Sequence, residues 1–320
     1  MSIKSIAKKL YRTKIGWLIK PFRVAYGRYY ESKLAFFLRY RPWMSDKKYL
    51  QRMHKQRFGC ELNLDAPRTF NEKNNWRKLY DRNPLYTKMV DKHLLKEVVE
   101  DRCGTGYTIA TLGVWKRPKE ILFDALPNQF VLKANHAGGV IICRNQADFD
   151  RKKAKKELHE LLKTNYFVKS REWPYKNVPR RILAEEYMGE NLVDYKNYCF
   201  NGKLLYTLVW KNVSREDGRK PKAHFCGSYD RNWIKTDMEL DYPSVPDAQI
   251  EKPEAYEEMI RVAEALSQDI PFVRVDCYII DGRVYVGEMT FFPWGGFQKF
   301  KDETWNHRLG ALQILPNSND

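Results

Sequence analysis

The chain has 320 residues, 43% hydrophobic and 14% aromatic against 30% charged, a composition that fits a folded protein of two or three subdomains and excludes a disordered tail. Lys and Arg outnumber Asp and Glu by 57 to 40, for a net charge of +17. Eleven of those basic residues fall within residues 1–41 beside a single acid, Glu31, so the excess belongs to the N-terminal segment, and no nucleic-acid partner is expected.

Cys60, Cys103, Cys143, Cys199, Cys226 and Cys277 form no C-x-x-C pair, which predicts free thiols in a reducing cytoplasm. The histidines lack metal-site spacing, so any metal falls to carboxylates.

In chain order, residues 1–58 predict a basic helical segment. Ile3, Ile6, Leu10, Trp17 and Leu18 recur at roughly helical spacing among Lys4, Lys8, Lys9, Arg12 and Lys14, a pattern suited to the anionic inner face of a bacterial membrane. Lys14, Lys20 and Pro21 interrupt the apolar residues around Trp17, so the segment is neither a signal peptide nor a spanning helix.

Residues 59–128 read as an N-terminal subdomain, with one amphipathic helix from Thr87 to Glu100 and a β-prone run from Tyr107 to Trp115. Residues 129–188 form a second unit that opens with QFVLKANHAGGVIICRN, a strand, a short loop and a strand. Lys133 at the end of the first strand, followed by Gly138 and Gly139, suits a polyphosphate, because residues without Cβ let backbone amides approach an anion. The same residues also make an ordinary hairpin with a solvent-facing lysine. A charged helix follows over 150–163, then a Pro/Trp/Tyr-rich loop and the strand RILAEEYM.

In residues 189–320, strands Asp194–Phe200 and Lys203–Trp210 turn at Asn201-Gly202. Residues 212–228 read as polar and mobile. A helix from Pro253 to Ser267 leads to PFVRVDCYIIDGRVYVGEMTFFPWGGF, residues 271–297, and a short helix over 308–315 ends the pattern.

Alternation places Arg274 and Asp276 on one face of the first run of that hairpin, and Glu288 and Thr290 on one face of the second. A two-residue turn at Asp281-Gly282 sets Asp276 against Gly287 and throws Glu288 to the other side. A three-residue turn, Ile280 to Gly282, pairs Arg274 with Glu288 and Asp276 with Val286 and gathers the polar groups on one face. The second register is expected, with Gly282 at positive φ. Two carboxylates on one face repel unless a cation lies between them, and hard oxygen ligands favour Mg²⁺.

The order of these pieces resembles an ATP-grasp enzyme. FNEKNNWRKLYDRNPLY, DKHLLKEVVED, FVLKANHAGG, DYKNYCFNGK, FVRVDCYIIDG and VGEMTFFPWGG are similar to the TupA-like branch, associated with teichuronopeptide and surface-polysaccharide biosynthesis, over about residues 60–315. The resemblance implies an α+β ATP-grasp fold in which two subdomains with antiparallel sheets clamp ATP, the boundary between them near 188/189. It implies Lys92 and Lys133 on phosphates, with Gly138 and Gly139 closing over them. Glu185, the Glu186 carbonyl and the Met188 amide read adenine, and Asp194 contacts ribose, with Glu190 the alternative. Asp276 and Glu288 hold Mg²⁺, and Arg274 with Lys133 steadies the transferred phosphoryl group. Many ATP-grasp enzymes carry Glu-x-Asn where this chain has Glu288-Met289-Thr290, so Thr290 offers a hydroxyl as third ligand and a second metal is in doubt.

The implied function is ATP- and Mg²⁺-dependent carboxylate–amine ligation through an acyl phosphate. The expected partners are an acidic glycan or lipid-linked sugar precursor and an amine or amino acid, with an anionic membrane surface held by residues 1–41. Two alternatives are a glycan kinase or glycosyl-transfer partner using the same cleft, and a non-catalytic nucleotide-binding scaffold in polysaccharide assembly.

Overall fold

The computed structural model describes residues 40–190, 192–213, 222–242 and 250–316. The expected membrane helix, and the membrane contact of residues 1–41 apart from its last two residues, lie outside them. The chain divides into two compact units, Met1–Tyr49 and Leu50–Asp320. Helix α1 spans Asp46–Phe58, and everything described below belongs to the second unit.

Helix α2 (Phe70–Tyr80) begins at a capping box: the Thr69 hydroxyl accepts from the Glu72 amide at 3.2 Å, and the Glu72 carboxylate accepts from the Thr69 amide at 2.9 Å, satisfying two of the donors a helix start leaves open. The single helix expected over Thr87–Glu100 is two, α3 (Leu85–Val90) and α4 (Leu95–Cys103). Asp91 causes the break, because its Oδ1 accepts from the His93 amide at 2.9 Å, a local bond that competes with the helix ladder. The Lys92 amide then donates to the Asn135 carbonyl at 3.0 Å, which fixes Lys92 at the joint.

The first sheet contains β1 (Thr111–Trp115), β2 (Phe130–Ala134), β3 (Val140–Cys143) and β4 (Ile182–Glu186), antiparallel in the order β1-β4-β2-β3. Because β1 precedes residue 128 and pairs with β4, the expected boundary at 128/129 cuts through this sheet and is corrected: strand β1 already belongs to it. Helix α5 (Arg151–Leu162) packs Leu158 on Phe130, Leu132 and Ile182, and α6 (Tyr166–Ser170) follows.

The second sheet contains β5 (Val193–Phe200), β6 (Lys203–Val213), β7 (Lys222–Asp230), β8 (Phe272–Ile280) and β9 (Arg283–Thr290), antiparallel in the order β7-β6-β5-β8-β9. Part of the stretch expected to be mobile, Lys222–Ser228, is strand β7. Phe225 and Cys226 are buried in different core clusters, apolar anchors that the polar composition around them obscured. Four cysteines (Cys143, Cys199, Cys226 and Cys277) are buried and all six are free thiols.

Alternation along β8 divides the core. Val273, Val275 and Cys277 pack with residues of α3, α4 and α7 (Tyr256–Ser267). Phe272 turns the other way, onto Phe70 of α2, Tyr198, Phe200, and Trp305 and Leu309 of α8 (Thr304–Leu312). Arg274 and Asp276 share the parity of Phe272, so this face is aromatic at one end and charged at the other.

The β8–β9 turn differs from the expected one. Ile280 pairs with Arg283, leaving the two-residue turn Asp281-Gly282 with both residues at positive φ (50° and 73°), as a type I′ hairpin requires. The expected pairings of Arg274 with Glu288 and Asp276 with Val286 are therefore incorrect: Asp276 lies opposite Glu288, Arg274 opposite Thr290 and Cys277 opposite Val286. A β-bulge at Gly287 supplies the extra residue and brings the two acids to one face after all. A Cβ at Gly287 would stand 2.8 Å from Tyr278 Cε2, so any larger residue at the bulge presses on that ring.

Helix α2 carries a buried polar stripe into the loop after β9. Asn71 exchanges two 2.8 Å hydrogen bonds with the Gln298 backbone, and Asn75 Nδ2 donates to the Gly296 carbonyl at 2.7 Å. Lys78 Nζ donates to Asn75 Oδ1 (3.0 Å), the Ser170 carbonyl (2.9 Å) and the Gly295 carbonyl. Arg77 reaches the Phe272 carbonyl at 2.8 Å and Asp81 at 2.9 Å.

Two predictions follow from these anchors. Gly287→Ala should cost about 1–3 kcal/mol in denaturant unfolding through overpacking against Tyr278. Burial pushes Lys78 down to about 7, against the pull of Glu172. A depressed folded-state value adds stability that is complete above the unfolded value and lost as pH falls through the folded one. Wild type should therefore gain about 2 kcal/mol over Lys78→Met between about pH 7 and pH 9, read from paired unfolding curves.

Candidate nucleotide and metal site

On the charged end of the second sheet, three cations face three carboxylates. Arg274 forks onto Asp276, Nε to Oδ1 and Nη2 to Oδ2, both at 2.6 Å. Its Nη2 also reaches Glu288 Oε1 at 3.3 Å and Thr290 Oγ1 at 3.1 Å. Lys196, which β5 places opposite Asp276, bridges Asp276 Oδ2 at 3.0 Å and Asp194 Oδ2 at 2.5 Å. Lys92 closes the group at 2.9 Å from Glu288 Oε2. The strand register thus sets side by side residues 80 or more positions apart in sequence.

The electrostatics follow from these contacts. Lys92, helped by Arg274 and Lys196, holds the Glu288 carboxyl far below the usual range, against the opposing effect of its partial burial. Burial opposes charge on Arg274 and on Lys196, yet Asp276 raises the first, and Asp194 with Asp276 the second. Burial also pushes Asp276 up while Arg274 and Lys196 pull it down. Side-chain exposure is 3% for Asp276 and 34% for Glu288, so Glu288 is the acid an arriving ion reaches first.

A second cluster lies in a cleft lined by Lys92, Lys96, Lys133, Glu185, Ile109 and Val286, among others. It joins β2 and β4 of one sheet to the bulged strand β9 of the other. Glu185 accepts from Lys96 at 2.7 Å and from Lys133. These two ammonium groups hold Glu185 below its ordinary value although burial works the other way. Lys133 is itself lowered, first by burial and then by repulsion from Lys92 and Lys96, which its share of Glu185 does not offset. Two cations divide one anion here, so the cleft is short of negative charge.

The structure therefore brings together Lys92, Asp194, Arg274, Asp276, Glu288 and Thr290 in one cluster, and Lys133 with Glu185 in the next, with Lys92 shared. Gly138 and Gly139 sit in the β2–β3 loop, where the Gly138 amide donates to the Tyr166 hydroxyl at 3.3 Å and Ala137 O lies 3.5 Å from Lys92 Nζ. Glu186 is exposed at the end of β4 and Met188 lies half-buried beyond it; neither is among the cleft residues. Glu190, the alternative ribose contact, is tied to Arg144 and to the Tyr187 hydroxyl.

Sequence reasoning assigned no role to Lys96, Lys196 or Tyr166. Lys196 was recoverable from its place between Asp194 and Tyr198 on one strand face. Lys96 and Tyr166 depend on the helix break and on tertiary packing, which the sequence does not display.

Among the described residues no three His, Cys, Asp or Glu side chains form a metal cage. Mg²⁺ does not need one, because it commonly takes one or two carboxylates and completes its shell with water and substrate phosphates. Asp276 and Glu288 as cross-strand neighbours, with the Thr290 hydroxyl 3.4 Å from Glu288, fit that donor set. Lys92, Lys96 and Lys133 around the anion-poor cleft fit a polyphosphate.

Solved structures similar to this chain include D-alanine–D-alanine ligase from Bacillus anthracis (16% identity, TM-score 0.38, covering 69% of this chain and 59% of that one). Others are N5-carboxyaminoimidazole synthetase from Staphylococcus aureus complexed with ADP (14%, 0.41, 87% and 66%), and the ATP-grasp ligase PsnB complexed with minimal precursor, Mg and ADP (13%, 0.34, 69% and 57%). This chain thus spans less than two thirds of the length of each. No curated protein matches the sequence. The model of the family described as TupA-like ATPgrasp matches residues 72–314, a span that contains both charged clusters, both sheets and helix α2 from Glu72 onward, and the chain belongs to the TupA-like ATP-grasp family.

Proposed function

We propose that this protein is an ATP- and Mg²⁺-dependent carboxylate–amine ligase acting on a cell-surface polysaccharide or its precursor. The observation that carries the reading is the shortage of negative charge around Lys96 and Lys133, which share Glu185, beside a cross-strand carboxylate pair. Family membership supplies ATP-grasp chemistry.

In this reading the polyphosphate of ATP enters the cleft and compensates the lysines that Glu185 alone cannot. Mg²⁺ on Asp276 and Glu288 would neutralise charge on the phosphoryl oxygens. Arg274 and Lys92, then no longer held by those carboxylates, turn to anionic oxygens of the transferred group and of the acceptor. The acceptor carboxylate attacks the γ-phosphorus, ADP leaves, and the acyl phosphate so formed is attacked by an amine with loss of inorganic phosphate. Such transfer depends on positioning and charge stabilisation and needs no protein nucleophile. A uronic acid joined to an amino acid satisfies the carboxylate and amine requirements. The positive charge of the chain favours acidic acceptors, and the basic residues of 1–41 would hold it at an anionic inner membrane leaflet. No helix among the described residues is long and apolar enough to cross a membrane.

The test is ADP release on a panel of uronic-acid acceptors and amino acids, with product mass recorded. A product heavier than the acceptor by the amine less water is expected; a gain of one phosphate would instead mark a kinase, and binding without turnover a scaffold. Asp276→Asn with Glu288→Gln should lower Mg²⁺-dependent ADP release by about 10³-fold or more, and unchanged release would remove the assigned site. The same pair of changes should tighten ATP binding measured without metal, because Arg274, Lys92 and Lys196 lose their internal counter-ions. Lys133→Met should weaken ATP binding about 10- to 100-fold, in line with loss of a charge-assisted contact.

A further inference from the structure

The loop Pro293–Gly296 holds an exposed tryptophan in a backbone conformation that bulky residues avoid. Trp294 has φ 54° and ψ 30°, and Gly295 and Gly296 follow at φ 65° and 74°. A left-handed conformation is costly for a side chain with a Cβ and persists only where the surroundings impose it. Here they do. Lys78 Nζ and Asn75 Nδ2 take the carbonyls of Gly295 and Gly296, and a Cβ on Gly295 would meet Ser170 Cβ at 2.8 Å.

The result is a Trp294 residue left 48% exposed, at the edge of a cluster of tilted and edge-on aromatic rings. Its centroid is 5.6 Å from that of Tyr242, which in turn lies 4.9 Å from Trp210. The contacts of Lys78 and Asn75 hold the loop backbone but call for no bulky side chain at 294, and a strained, water-exposed aromatic ring gives up both backbone and burial energy.

Its position supplies the reason. Trp294 lies four residues beyond Thr290, whose hydroxyl accepts from Arg274 at 3.1 Å. The same loop passes Glu172 Oε1, 3.6 Å from where a Gly295 Cβ would be, and Glu172 feels the charges of Arg274 and Glu288. The loop that carries Trp294 thus borders, through Glu172, the charged face on which Arg274 stands. We infer that Trp294, backed by Tyr242, is a stacking platform for a pyranose ring of the acceptor glycan. The axial C–H bonds of a pyranose present an apolar, weakly positive face that packs on the electron-rich face of an aromatic ring. This rests on the proposal that the acceptor is a glycan carboxylate.

The test is calorimetric titration of the full chain, loaded with Mg²⁺ and ADP, with short oligogalacturonate and hyaluronan fragments and a neutral cello-oligosaccharide. Wild type should bind at least one of them. Trp294→Gly, which suits the left-handed backbone, should lose about tenfold or more in affinity, about 1.4 kcal/mol, while its Tm is unchanged or higher and its ADP affinity unchanged. Trp294→Phe should keep most of the oligosaccharide affinity. Failure of wild type to bind any of the three, equal binding by Trp294→Gly, or a lower Tm with binding intact would each overturn the platform. Lost ADP affinity in Trp294→Gly would place the ring on the nucleotide instead and overturn it equally. The two readings separate cleanly: oligosaccharide binding that depends on Trp294 without carboxylate-dependent ADP release keeps the platform and removes the ligase. Ligation of a sugar-free carboxylate by a chain that binds none of the oligosaccharides does the reverse.

Discussion

The site depends on one cross-strand neighbourhood, Asp276 opposite Glu288, with Arg274 forked onto the first and touching the second. A buried carboxylate cannot stay ionised beside another without counter-charge. The fold supplies it from three directions: Arg274 from the same strand, Lys196 from β5 and Lys92 from the joint between α3 and α4. A single extra residue decides the arrangement. Without the bulge at Gly287, the tight Asp281-Gly282 turn would put Glu288 on the opposite face, with Val284 and Val286 and the helices that cover them.

The rest of the chain positions that neighbourhood. Helices on one face of the second sheet bury the residues of opposite parity, and α2 with α8 buries the aromatic end of the face that carries the charges. The polar stripe of α2 is unusual for a buried helix. Asn71, Asn75 and Lys78 give hydrogen bonds to the segment just past β9, so these three side chains are satisfied there and the strand that ends in Thr290 is held in place. The first sheet contributes Lys133 and Glu185 across the cleft. The cross-sheet cleft and the shared Lys92 couple the anion-poor cluster to the carboxylate pair.

Much of this was legible in the sequence, and for identifiable reasons. Alternation placed Arg274 with Asp276 and Glu288 with Thr290, and Asn201-Gly202 marked its hairpin by turn chemistry. The order of motifs pointed to the family. What failed did so where a local rule met a longer-range one. The three-residue β8–β9 turn places the extra residue at the turn, with Gly282 as its bulge glycine, whereas the chain places it at Gly287; glycine in a strand interior was the available signal. Helical periodicity from Thr87 to Glu100 concealed the break, although Asp91 before Lys92 is a side chain able to compete for backbone donors. The boundary at 128/129 failed because β1 joins its sheet through β4, some 70 residues later, a pairing that no local pattern announces.

The central claim is that Asp276 and Glu288 form the metal edge of a nucleotide site. Anomalous diffraction from crystals of the chain grown with Mn²⁺ and ADP tests it most directly. The account predicts a manganese peak within coordination distance of both carboxylates, with Arg274 and Lys92 turned from them toward phosphate oxygens. Bound ADP with the peak elsewhere, and the Arg274–Asp276 and Lys92–Glu288 pairs intact, would contradict it.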